Sequence, residues 1–158
     1  MTEKNQLVNL SHTRGDEQTN VYHRIAEGGF CPFCWENFQK NHKKPLLIQT
    51  EWWIATENQW PYQGSTLHML FVYRDHVDDP TKVAPDAWSE FYQHILPAIM
   101  KRYHINGGGI YMRFGNTNIT GSSVAHFHAN LIVGGEMIEQ PTSEDWLTVA
   151  LGYKHKEA

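Results

Sequence analysis

The stretch "SSVAHFHANLIVG", residues 122–134, alternates polar and apolar side chains. Successive side chains of a β-strand point to opposite faces, so a strand here would project His126, His128 and Asn130 from one side. The apolar residues between them would occupy the other side. Two imidazoles and a carboxamide on one face of a strand indicate either an ordinary half-buried polar face or a catalytic or binding site. The residues that precede the strand help to distinguish these two interpretations.

The strand follows a loop of small polar residues, "GNTNITGSS" at 115–123. Backbone N–H groups and hydroxyls in such a loop can hold phosphate oxygens and stabilise developing charge. A neutral imidazole is a good nucleophile near pH 7, because its pKa lies close to that pH. The loop and strand together therefore favour phosphoryl chemistry over ordinary strand packing. The candidate phosphate contacts are Asn116, Thr117, Ser122 and Ser123.

The 158-residue chain is 41% hydrophobic, which suits one domain with a core of its own. We expect a flexible N-terminal arm over 1–20 and a single domain over 21–158, with a C-terminal tail from about residue 135. The formal charge of −4 and the lack of a Lys/Arg-rich tract argue against nucleic-acid binding. No apolar run approaches the ~20 residues of a membrane span, and no signal-peptide core is evident. A soluble cytoplasmic protein is expected.

Aromatic and β-branched residues crowd the stretch 44–60, and a second such run spans 65–74. That composition is typical of strands, and the turn-like residues 61–64 between the runs predict a hairpin. Another strand is predicted over 110–114, after the glycine-rich turn 106–109, which we interpret as a helix cap rather than a phosphate loop.

A long helix is predicted to begin at Ala84-Pro85-Asp86, since proline suits the first turn and an acidic residue favours that end of the helix dipole. Apolar residues then recur at helical spacing and mark a core-facing stripe. Pro97 lies within this pattern and is expected to kink or shorten the helix. A short helix is predicted through Trp35 and Phe38. The fold class is therefore α+β: a mostly antiparallel sheet of about five strands with one long and one short helix.

Cys31 and Cys34, the only cysteines, stand in the motif Cys-Pro-Phe-Cys. A disulfide scaffold usually has more cysteines and a secretory signal. Three interpretations of the cysteine pair remain: a redox dithiol, half of a metal site, or two buried thiols.

Residues 121–130, "GSSVAHFHAN", resemble the signature of the histidine triad (HIT) superfamily, whose core is His-x-His-x-His or His-x-His-x-Gln. Upstream, "GSTLHMLFVYRDHV" at 64–77 is similar to the family's second conserved block. The helix, the glycine-rich turn and the Asn-bearing loop follow in the family's order. The resemblance covers about residues 30–134 and implies a HIT-like fold, a nucleotide or dinucleotide substrate and a homodimer.

The resemblance implies that His128 is the nucleophile, forming a covalent nucleotidyl-histidine while its other ring nitrogen bonds a backbone carbonyl. Asn116, Ser122 and Ser123 fall in the family's phosphate-contacting loop, although the family often has Gln where Ser122 stands. The implied function is a nucleotide hydrolase or nucleotidyl transferase acting on a phosphoanhydride or phosphoramidate-type bond. The fifth member of the site, Asn130, would be catalytic.

Asn130 is also the main departure from the family pattern, which has His in the hydrolase branches and Gln in the transferase branches. An amide can donate a hydrogen bond to a phosphoryl oxygen but carries no proton at pH 7. The alternative function is therefore a catalytically weak or inactive nucleotide-binding or regulatory module stabilised by zinc.

Family members that carry an early CxxC, such as those of the galactose-1-phosphate uridylyltransferase type, complete a zinc site with two histidines. The resemblance implies a structural Zn²⁺ held by Cys31, Cys34, His76 and His126, a Cys₂His₂ set that zinc commonly takes. A zinc-stabilised scaffold without a small ligand is a third reading, but it leaves His128 and the polar loop without a role.

Overall fold

A computed structural model of the protein describes residues 7–156. Its centre is a five-stranded, wholly antiparallel sheet with the strand order β1-β2-β3-β5-β4. The strands are β1 (Leu46–Gln49), β2 (Trp53–Glu57), β3 (Leu67–Tyr73), β4 (Gly109–Arg113) and β5 (His128–Val133). The predicted α+β fold with about five antiparallel strands is confirmed.

The helices include one long continuous unit and several shorter ones. They are α1 (Asp16–Gly28), α2 (Trp35–Asn41), α3 (Pro85–Glu90), α4 (Leu96–Arg102) and α5 (Thr117–Thr120). A π-helical turn, Phe91–Ile95, joins α3 to α4, so that the long helix runs for 18 residues. Short 3-10 turns lie at Leu10–His12, Pro80–Lys82 and Ser143–Asp145.

Pro97 does not end the long helix. The π-helical turn just before it lets the N–H of Leu96 bond the carbonyl of Phe91, one residue further back than in an α-helix. This wider turn places the proline near the start of a new α-helical segment, where its missing N–H leaves no hydrogen bond broken.

The sheet divides the interior into two sides. Phe127, Ala129 and Leu131 belong to residues 122–134, here called the histidine segment, and pack with Phe91 and Ile99 of the long helix. His128 and Asn130 face the opposite side, with their cross-strand partners Val72 and Leu70. The alternation predicted from the sequence is therefore present, and it leaves the polar face of β5 free of the long helix.

The predicted strand over 44–60 is interrupted. Thr50 turns the chain between β1 and β2, and its hydroxyl accepts a hydrogen bond from the N–H of Trp53 at 2.9 Å. Strands β2 and β3 then pair in the expected hairpin, from Trp53 opposite Tyr73 to Glu57 opposite Met69.

The N-terminal segment packs against the histidine segment. Val8 forms a bridge with Val124, and helix α1 begins at Asp16, within the stretch for which the sequence predicts a flexible arm. The apolar pattern of α1 is hidden because its buried stripe starts with Gln18 before Tyr22 and Ile25. The rest of the predicted arm, residues 1–6, lies outside the described residues, as do 157–158 of the tail.

The tail that follows β5 crosses the polar loop. The carbonyl of Ala150 accepts a hydrogen bond from the Tyr111 hydroxyl at 2.8 Å. A Cβ on Gly152 would lie 1.9 Å from the carbonyl oxygen of Ile119, so only glycine permits this approach. None of the helices within residues 7–156 combines the length and the hydrophobicity of a membrane span.

Candidate active site and metal centre

His128, the first residue of β5, is held in a single ring orientation. Its Nδ1–H donates to the backbone carbonyl of His126 at 2.7 Å, which leaves Nε2 as the nitrogen with the lone pair. No hydrogen bond from the described part of the chain occupies Nε2. The ring of Phe33 meets the imidazole edge-on at a centroid distance of 5.1 Å. The carbonyl bond is the one that the family resemblance implies for this histidine.

The cavity beside His128 is small and polar. Burial, followed by the charges of Arg113 and Arg14, lowers the pKa of His128 to about 4, so the ring is neutral at pH 7. The volume is about 40 Å³, room for a phosphoryl oxygen or a water rather than for a nucleoside. Further lining residues are Gln18, Tyr22, Asn58, Gln59, Trp60, Ser123 and Asn130.

A larger groove of about 680 Å³ lies on the far side of His68 and Asn58. Its lining does not include His128. Lys44 and Glu57 form a 3.6 Å ion pair on its wall.

Asn130 is oriented by His68, a residue that the sequence left without a role. The N–H of Tyr62 donates to His68 Nδ1 at 3.2 Å, so the proton of the neutral ring is on Nε2. That Nε2–H donates to Asn130 Oδ1 at 2.8 Å. The Asn130 carbonyl oxygen is thereby used, and its amide N–H groups remain as the donors available to a ligand.

The predicted phosphate-contacting residues lie in different surroundings. Ser123 lines the His128 cavity, whereas the Ser122 hydroxyl donates to the carbonyl of Val124 at 2.9 Å. The Asn116 side chain caps α5 by accepting from the N–H of Asn118 at 2.9 Å. Their contacts with a phosphate stay predictions. Asn9 braces the loop through its amide, which donates to Asn118 Oδ1 at 2.9 Å.

Cys31, Cys34, His76 and His126 converge on one point, with their ligand atoms all within 4.8 Å of one another. The Nδ1 atom of His126 lies 3.4 Å from Cys31 Sγ, 3.9 Å from Cys34 Sγ and 3.2 Å from His76 Nδ1. A tetrahedral zinc ion with ordinary bond lengths separates its ligand atoms by about 3.3 to 3.8 Å. The four residues therefore fit a zinc ion.

The chemistry of these groups also favours a cation. His126 Nε2–H donates to the carbonyl of Tyr73 at 2.6 Å, so the Nδ1 that faces the cluster carries a lone pair. Burial raises the pKa of the Cys31 thiol to about 12, and a thiolate there needs the positive charge of a bound metal.

Two arginines of the site, like His68, were not assigned a role from the sequence. Arg113, at the end of β4, is paired directly opposite His128, and Arg14, just before α1, has its guanidinium 4.5 Å from the centre of the Tyr62 ring. Neither stands in a recognisable motif. The strand register is the signal for Arg113, because opposite residues of an antiparallel pair share a face.

Acid should destabilise the protein through His68. Its imidazole is 3% exposed, and burial lowers its pKa to about 4 from 6.5. Between these two pKa values, the unfolded chain binds a proton at His68 that the folded chain does not bind. The contribution of His68 to the free energy of unfolding is therefore fully present above pH 6.5 and is lost as the pH drops toward 4. The expected loss from this residue between pH 7 and pH 5 is roughly 2 kcal/mol.

Urea unfolding of the wild type, His68→Gln and the exposed control His94→Gln at the two pH values measures this loss. We expect it to be about 2 kcal/mol smaller in His68→Gln than in the other two proteins. An equal loss in all three would show that His68 is protonated in the folded state.

The fold is similar to that of solved histidine triad proteins. A hypothetical histidine triad nucleotide-binding protein from Sulfolobus tokodaii matches with a TM-score of 0.53 and 17% identity, covering 68% of this chain and 71% of that one. A structure named Hit Like Protein matches with a TM-score of 0.50 and 17% identity, covering 62% and 92%. No protein-family model and no curated protein sequence matches the chain. The chain thus has a HIT-like fold, as the sequence predicts.

Proposed function

We propose that the protein is an enzyme that transfers a nucleotidyl group through His128, as a nucleotide hydrolase or nucleotidyl transferase. The observation that carries the proposal is a neutral imidazole fixed by a carbonyl at Nδ1, with an unbonded Nε2 beside a cavity lined with donors. Acyl transfer fits less well, because the donors and two guanidiniums surround the cavity on several sides, as a phosphoryl group with several oxygens requires.

The reaction has two displacements at one phosphorus. His128 Nε2 attacks the phosphorus, an N–P bond forms, and the bond to the leaving group breaks, with its electron pair going to the leaving atom. Water or a phosphate oxygen then attacks the same phosphorus, and the N–P electron pair returns to Nε2. The carbonyl of His126 stabilises the ring while it carries the nucleotidyl group, because Nδ1–H points at it.

Asn130 and Ser123 are proposed to bind phosphoryl oxygens during both steps. His68 holds the Asn130 amide with its N–H groups free, so it is a positioning residue for that contact. Asn116 and Ser122 are proposed to stabilise the loop at 115–123 and to contact the phosphate of a bound ligand.

Zinc is proposed to have a structural role. A Cys₂His₂ set fills all four tetrahedral positions, which leaves none for substrate or water. His126 would then join the two sites, since its ring binds the ion while its backbone carbonyl orients His128. A single domain over 21–158, a homodimer and a cytoplasmic location remain predictions that accompany this proposal.

A substrate panel tests the function. The zinc-loaded protein should turn over at least one class among dinucleoside polyphosphates, sugar nucleotides and nucleoside phosphoramidates, and reaction in ¹⁸O-water should label the nucleoside monophosphate product when water is the acceptor. The label reports attack on the nucleotidyl phosphorus. Tight nucleotide binding without turnover of any class would favour the regulatory module instead, and label confined to the leaving group would contradict the proposed bond cleavage.

A further inference from the structure

Three buried side-chain atoms in the part of the chain described here lack a hydrogen-bond partner: Gln59 Nε2, Trp60 Nε1 and Arg113 Nε. All three are N–H donors, and all three residues line the His128 cavity. The Gln59 amide has a defined orientation, because its Oε1 accepts from the N–H of Lys43 at 3.0 Å. Buried donors are nearly always paired, so a cluster of them without partners in the chain indicates acceptors supplied from outside it.

Two guanidiniums border the same cavity. Arg113 is 9% exposed, and its side chain lies on the face of His128, which is its cross-strand partner. Arg14 is half-buried, and its Nη2 donates to the carbonyl of Trp60 at 2.7 Å. Tyr62 separates them, since Arg113 Nη2 donates to its hydroxyl and Arg14 stacks on its ring.

These two positive charges have no acidic partner at the cavity. None of its lining residues is Asp or Glu, and neither arginine forms an ion pair within residues 7–156. Buried or half-buried guanidiniums are usually paired with an anion. The charge of the lining therefore favours an anionic ligand of about two negative charges, of which the 40 Å³ cavity admits oxygen atoms and not the whole molecule.

A nucleotidyl phosphoryl group attached to a neutral leaving group carries only one negative charge. We infer that the substrate carries a second phosphoryl group next to the one that His128 attacks, and that Arg14 and Arg113 bind this second group. The substrate class is thus a phosphoanhydride, in which the leaving group begins with a phosphate, rather than a phosphoramidate. This inference rests on the proposed function.

The leaving-group chemistry agrees with that assignment. When His128 displaces a phosphate, the P–O bond breaks and the oxygen leaves with the electron pair as part of a phosphate anion, which needs no proton at neutral pH. An amine leaving group must be protonated as it departs, and Asn130 has no proton to supply. Arginines that stabilise the departing charge replace the acid that this position lacks.

Binding of inorganic diphosphate to the full-length, zinc-loaded protein tests the arginine site without any need for turnover. We expect calorimetry to show at least tenfold weaker binding for Arg113→Gln and for Arg14→Gln, because each removes charge-assisted hydrogen bonds. Arg24→Gln, an exposed change of the same charge on α1, should bind as the wild type does. Arg113→Lys keeps the charge but not the planar guanidinium, so we expect an affinity between those of the wild type and Arg113→Gln. This variant also provides the test if Arg113→Gln does not fold.

Two kinetic arms separate the sources of the second phosphoryl group. If the second phosphoryl group belongs to the leaving group, Arg14→Gln should slow the nucleotidylation of His128 when the donor is a phosphoanhydride. That fall in rate should be at least tenfold larger than the fall with a phosphoramidate donor. Slower discharge of the intermediate by orthophosphate relative to water, without that difference between donors, would place the second phosphoryl group in the acceptor and contradict the phosphoanhydride assignment. Diphosphate binding that is equal in Arg113→Gln, Arg14→Gln and Arg24→Gln would overturn the inference, whereas turnover in the substrate panel would still support the proposed function.

Discussion

His128→Ala should abolish turnover, with a fall in kcat of at least about 10³-fold, because it removes the atom that is proposed to form the bond to phosphorus. The loss should appear in kcat rather than in nucleotide affinity, since the phosphoryl contacts proposed for Asn130, Ser123 and the arginines remain. Steady-state kinetics on the best substrate of the panel measures both quantities.

His94→Ala is the matched control. It removes an imidazole of the same size from an exposed position on the π-helical turn, far in sequence from the site. Its kcat should stay within about twofold of the wild type, as surface substitutions usually have small effects. Comparable turnover by His128→Ala and His94→Ala would show that another group attacks the substrate.

His76→Ala should lower the melting temperature by roughly 10 °C, which corresponds to about 3 kcal/mol for a chain of this size. His76 is exposed, so its side chain contributes little packing, and the loss of stability would report its proposed role as a zinc ligand. Zinc content, measured after purification without chelator, should fall together with the melting temperature.

Two comparisons separate the metal from the side chain. His23→Ala removes an exposed histidine of α1 and should melt as the wild type does. With a strong chelator present, the wild type and His76→Ala should melt at the same temperature, because neither then holds an ion. A difference that persists in chelator would assign the stability to contacts of His76 rather than to zinc.

The polar face of the histidine segment could be predicted because a strand has a strict period of two. Once Phe127 and Ala129 are recognised as core residues, His128 and Asn130 must face the other way. The long helix could also be predicted from the sequence, since its apolar stripe and its N-terminal proline are local signals. The approach of Cys31 to His126 came from the family resemblance, and the structure brings the two residues together.

Local sequence patterns do not predict the remaining residues of the site. Arg113 was missed because its place beside His128 depends on the pairing of β4 with β5. Arg14 reaches the cavity because the chain before α1 pairs through Val8 with Val124, a contact between residues far apart in sequence. Such contacts depend on the complete fold, and a polar N-terminal stretch gives no sign of them.

The most direct test of the central role of His128 is detection of the covalent intermediate. The protein is mixed with substrate, quenched at alkaline pH because the N–P bond of phosphohistidine is labile in acid, and examined by intact-mass and peptide mass spectrometry. We expect a mass increase of one nucleotidyl group on the peptide that contains His128, formed at least as fast as turnover and absent in His128→Ala. Turnover without an adduct, or an adduct on another residue, would contradict it.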